Sequence, residues 1–138
     1  MTTQLKYGMS VRTSLPFDRA VELVTGALKH EGFGVLTTID VRKTMWDKLG
    51  EEFPDHVILG ACNPALAYMA LRDDVDIGLL LPCNVDVRTD PDDEQTIVSI
   101  LDPGVMSSLS SGEGVEEVAD LAREKLQRVL TEVKGAAQ

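Results

Sequence analysis

The chain has 138 residues, 43% of them hydrophobic and 26% charged, with a formal net charge of −10. That size and balance predict one globular domain spanning 1–138 with an ordinary hydrophobic core. The acidic excess argues against the basic stripe of a nucleic-acid binder and against adsorption to anionic membranes, so neither nucleic acid nor membrane is an expected partner.

Leu5, Tyr7, Met9 and Val11 alternate with Lys6, Gly8, Ser10 and Arg12, which predicts a strand with one buried and one wet face. Ser14 and Pro16 predict a helix start, and Phe17, Ala20, Val21, Val24 and Leu28 fall on one face of that helix before Gly32 stops it. Residues 33–39 read as a second strand. Asp40 then caps a short helix at 41–50 that carries Met45, Trp46 and Leu49, side chains better suited to core or subunit contact than to cofactor stacking. Residues 56–61 form a third predicted strand, and Asn63-Pro64 opens a helix running to residue 72, which Asp73-Asp74 ends.

Residues 77–81 are apolar except for Gly78 and predict a strand buried on both faces. Pro82 marks a bulge or an edge. Val85, Val87 and Arg88 lead to an acidic turn at 90–93, and residues 96–101 return, which predicts a hairpin. The small residues at 105–114 read as a mobile loop, with Ser110 and Glu113 at capping-box spacing. A last helix at 113–134 buries Val115, Val118, Ala119, Ala122, Leu126, Val129, Leu130 and Val133 on one stripe.

Chemistry centres on the two cysteines, Cys62 and Cys83, each followed by an asparagine and each preceded by an apolar run. With no bilayer-length apolar run and no signal-peptide pattern near Met1, the expected compartment is the cytoplasm and the thiols are expected to be free. Cys62 precedes a helix start, where unpaired N–H groups can lower a thiol pKa and hold an oxyanion. It is equally a residue type that packs well in cores. His56 is the one nearby base in sequence. If a right-handed crossover joins the two strands, both thiols reach one pocket mouth together with Asn63 and Asn84, whereas antiparallel strands would separate them. Zinc signatures place ligands in close pairs, which His30, His56, Cys62 and Cys83 do not form, so no metal is expected. The acidic turn lacks the features of an EF-hand, and Gly112-Glu113-Gly114 lacks the lysine of a phosphate loop. Nothing in the sequence specifies a cofactor.

The string 58–67, with 77–85 and Asp102-Pro103, resembles the domain-of-unknown-function 302 (DUF302) family of bacteria and archaea, as do 31–37 and Asp40-Val41. The resemblance covers residues 7–103. It implies an α+β fold of the TATA-binding-protein-like type, a curved and mainly antiparallel sheet with helices on one face, often as a homodimer. It implies no established activity.

Three functions follow as expectations. The first is a homodimeric small-ligand-binding module that presents Cys62, Asn63, Cys83 and Asn84 to an anionic or sulfur-containing ligand. The second is a thiol enzyme of acyl or sulfur transfer with Cys62 as the catalytic nucleophile. The third is a structural or regulatory interaction domain whose cysteines belong to the core.

Overall fold

The computed structural model describes residues 2–136, so the predicted domain bounds extend past it at both ends. Its strands are β1 (Thr3–Gln4), β2 (Gly8–Thr13), β3 (Gly34–Asp40), β4 (His56–Cys62), β5 (Cys83–Thr89) and β6 (Thr96–Leu101). They form one sheet in the order β1-β2-β6-β5-β4-β3, antiparallel at every junction. Between them run α1 (Phe17–His30), α2 (Val41–Leu49), α3 (Pro64–Asp73), α4 (Gly104–Leu109) and α5 (Glu113–Gly135). This is the α+β, antiparallel architecture that the resemblance implied.

The core forms where the period of two in the strands meets the period of 3.6 in the helices. Val57, Leu59 and Ala61 of β4, Val85 and Val87 of β5, and Val98 and Ile100 of β6 point to one side. There they meet Ala20, Val24, Ala27 and Leu28 of α1 and the predicted stripe of α5, every member of which is buried. Burying one large aliphatic side chain contributes ~1.5–3 kcal/mol, so this shared interior outweighs any surface pair in fixing the layers.

The helix punctuation follows the sequence in most places. Asp40 accepts the Lys43 N–H at 3.0 Å and caps α2, and Gly50, at φ 67°, ends it in the left-handed conformation. Gly32 plays a related part after α1 at φ 84°. Ser14 does not cap α1; instead Thr13 Oγ1 accepts the Leu15 N–H at 3.1 Å, and α1 begins behind Pro16 without a side-chain cap. In β2 only Arg12 is exposed and Ser10 is buried, while Leu5 and Tyr7 lie outside the strand and are exposed. The predicted alternation therefore gives way to a strand shielded on both faces.

Two larger corrections concern the second half. Residues 77–81 do not form a strand: Val75–Leu80 is a 3₁₀ turn, with Ile77 buried and Leu79 88% exposed. The Asp74 side chain accepts the Asp76 N–H at 3.2 Å, a local bond that competes with strand formation, and Gly78 and Pro82 leave too short a run between them. Residues 105–114 are likewise mostly helical and not a loop, with only 110–112 between two helices. Asp102 Oδ1 accepts the Gly104 N–H at 2.9 Å and starts α4, which plants Met106 in the core.

The Ser110–Glu113 capping box does not form. Ser110 Oγ donates to Asp74 Oδ2 at 2.6 Å and accepts the Gly112 N–H at 3.1 Å, while Asp73 accepts the Gly114 N–H. The two acids that close α3 thus face the start of α5, where carboxylates suit the helix dipole.

Candidate functional site

The sheet register decides where the two thiols sit. β4 ends at Cys62 and β5 begins at Cys83, and the two strands pair with Ala61 opposite Cys83. Both cysteines therefore lie at the same end of the sheet although the strands are antiparallel. The expected separation assumed that Cys83 follows a strand; since 75–80 is a 3₁₀ turn, Cys83 opens one instead.

Cys62 is half-buried, Cys83 is buried, and both are free thiols. Together with Asn63 they line a gap of about 20 Å³, walled by Phe33, Leu66, Ala70 and Met106. That volume holds about one water molecule. Burial pushes the Cys83 thiol up to about 11, with the nearby Cys62 sulfur adding to the rise, and burial also raises Cys62. Both groups are protonated at neutral pH, the opposite of an activated nucleophile.

The two asparagines part company. Asn63 Oδ1 accepts the Leu66 N–H at 3.2 Å as the cap of α3, and its Nδ2 donates to the Glu31 carbonyl oxygen at 3.5 Å, beside the end of α1. Asn84 alternates with Cys83 along β5, so it is exposed on the other face of the sheet, opposite Gly60. A Cβ at Gly60 would collide with Thr37 Oγ1 and come within 2.9 Å of Pro82 Cγ, so only glycine lets those two side chains close over this stretch of β4.

A much larger hollow lies at the opposite end of β4. A cleft of about 980 Å³ opens between the first turns of α1, the α2 helix and the segment 51–55. α1 contributes Phe17, Asp18 and Val21; the end of β3 contributes Thr38 and Asp40; α2 contributes Arg42, Lys43 and Trp46. The wall is completed by Glu51, Glu52, Phe53, Pro54, Asp55, His56 and Val57. The Phe53 and His56 rings stack with centroids 5.8 Å apart, and His56 Nε2 lies 2.7 Å from Asp86 Oδ1. Arg42 Nη1 lies 2.8 Å from Asp55 Oδ1, which raises the guanidinium pKa through that hydrogen bond.

Sequence reasoning missed this cleft. Trp46 is 60% exposed and borders it, rather than serving the core. The available signal was the sequence of α2, in which Val41, Met45, Trp46 and Leu49 sit among Arg42, Lys43, Asp47 and Lys48; in the fold only Val41 of that helix is buried. Among the described residues no group of three or more His, Cys, Asp or Glu side chains is placed to hold a metal, and no helix is long and apolar enough to cross a membrane.

A family model for DUF302, a domain of unknown function, matches residues 9–133. No curated protein matches the chain. Among solved structures, it is similar to the crystal structure of an uncharacterized conserved DUF302 protein from Bacillus stearothermophilus. The two share 26% identity at a TM-score of 0.85, over 94% of this chain and 100% of that one.

Proposed function

This chain belongs to the DUF302 family, and from that premise we propose that it is a small-ligand-binding module whose ligand occupies the cleft between α1, α2 and residues 51–55. The carrying observation is size combined with lining. About 980 Å³ sits at the upper end of the ~300–1,000 Å³ usual for small-molecule sites, and Phe17, Trp46 and Phe53 supply apolar surface among charged groups. The Cys62–Asn63–Cys83 gap, about 20 Å³, lies at the other end of β4 from that ligand site and has room for a water-sized occupant only, with Asn84 turned away from it.

A thiol enzyme is the weaker reading, because burial raises both cysteine pKa values and so depletes the thiolate. A homodimer accompanies the binding role in this proposal. Its support is β3, a free edge strand of seven residues, of which Leu36 is 67% exposed and Ile39 49%.

The chain has one tryptophan, so its fluorescence reports directly on the cleft. A thermal-shift screen of metabolites, followed by Trp46 fluorescence titration of each hit, tests the role. A ligand present at 100 times its Kd should stabilise the fold by about 2.7 kcal/mol. Hits that stabilise the protein and leave Trp46 emission untouched would move the ligand elsewhere; no hit at all would count against a binding module.

A further inference from the structure

We infer that the cleft selects an organic cation with an apolar or aromatic body, of the alkyl- or arylammonium class; this rests on the reading of the cleft as the ligand site. The argument begins with its cations, which are already engaged. Arg42 pairs with Asp55 at 2.8 Å, and Lys43 Nζ pairs with Asp47 at 2.6 Å. Asp18, Glu51 and Glu52, by contrast, have no ion-pair partner among the described residues and are exposed at the cleft. Asp40 spends one oxygen on the α2 cap and leaves its charge in the hollow.

Five carboxylates therefore line the cleft against two permanent cations. An anion entering there would meet repulsion at short range, inside a protein that already carries −10. The same wall offers exposed aromatic side chains, Trp46 at 60% and Phe53 at 39%, the latter with one ring face stacked on His56. Aromatic faces attract ammonium groups through the ring quadrupole, and carboxylates attract them by charge. An apolar cation satisfies both features of the lining, whereas a neutral aromatic uses only one.

The test is titration of the full chain with benzyltrimethylammonium, benzyl alcohol and phenylacetate, read by Trp46 fluorescence. The quaternary probe keeps its charge at every pH. Benzyltrimethylammonium should saturate at a concentration ~10-fold below either other probe, and its affinity should fall as salt is added. The paired substitution Glu51→Gln and Glu52→Gln, at two exposed positions, should cost the ammonium probe several-fold in affinity while benzyl alcohol binds as before. Tighter saturable binding of phenylacetate or benzyl alcohol would overturn the cation assignment and leave the cleft as a ligand site. Absence of saturable binding by all three would remove the ligand-site reading and this inference with it.

Discussion

Arg42 Nη1 meets Asp55 Oδ1 at 2.8 Å, tying the first turn of α2 to the end of the segment that walls the cleft. Both side chains are exposed, at 61% and 43%, so salt and solvent weaken the pair and its effect is on loop position rather than on global stability. A second tether lies next to it, because the Asp55 carbonyl oxygen accepts the Thr89 N–H at 2.9 Å.

Removing the ionic tether should therefore loosen residues 51–54 and little else. In Asp55→Asn, amide hydrogen exchange across 51–54 should accelerate several-fold while the buried β5 amides around Val85 and Val87 keep their protection. The melting temperature should move by no more than about 2 °C. Unchanged exchange in 51–54 would show that the pair does not position the loop.

The thiols make a prediction with a definite sign. The Cys83 pKa rises from 9.0 to about 11 on folding, so between those values the folded chain holds a proton that the unfolded chain has lost. Stability contributed by the buried thiol is complete below pH 9 and is lost as pH climbs toward 11, by as much as about 3 kcal/mol in total. Urea melts of the native chain and Cys83→Ala across that window should show a steeper decline for the native chain. Alkylation by iodoacetamide at neutral pH should be slow at both cysteines and slower at Cys83, the more deeply buried. Rapid neutral-pH labelling of Cys62 would revive the thiol-enzyme reading.

Asn63 and Asn84 look alike in sequence and should behave unlike each other. Asn63→Ala removes the α3 cap and the long contact to Glu31, and should cost about 1 kcal/mol, in the usual range for a lost N-cap. Asn84→Ala removes an exposed side chain with no hydrogen bond among the described residues, and should stay within ~0.5 kcal/mol of the native chain. Asn63→Asp, which keeps an acceptor for the Leu66 N–H, should recover most of the loss. Equal melting temperatures for the two alanine variants would mean that the cap contributes nothing.

The contrast between the asparagines shows what was readable from sequence. Caps, turn residues and the α5 stripe act through neighbours a few positions away, so Asp40, Asn63 and the stripe from Val115 to Val133 could be placed without any knowledge of the sheet. The 3₁₀ turn at 75–80 is hard to read in the sequence because residues 77–81 have a buried strand's apolar composition, while the Asp74 bond, Gly78 and Pro82 together work against a strand. Reading a strand there carries over to the site. A strand ending before Cys83 would part the thiols in an antiparallel sheet, whereas the register brings Cys83 opposite Ala61. The cleft was illegible for a different reason: its walls come from α1, β3, α2 and the start of β4, and only their packing creates the hollow.

The exposed edge of the sheet yields the last prediction. β1 at the other edge has two residues, too few to template pairing, but β3 offers seven, with no lysine or proline and a bulge at Leu36 between Val35 and Thr37. Lysine and proline guard many natural edges and β3 has neither, so this long edge, guarded by its one bulge, suits a strand from a second copy. Antiparallel pairing of two β3 strands about a two-fold axis would extend the sheet across both copies and cover Leu36 and Ile39. Sedimentation at tens of micromolar should give a dimer for the native chain and a monomer for the paired substitution Leu36→Lys and Ile39→Lys. Both positions are exposed, so the variant's helical circular dichroism should match the native chain's, separating loss of association from loss of fold. A native chain that sediments as a monomer, or a lysine variant that remains a dimer, would remove β3 as the contact.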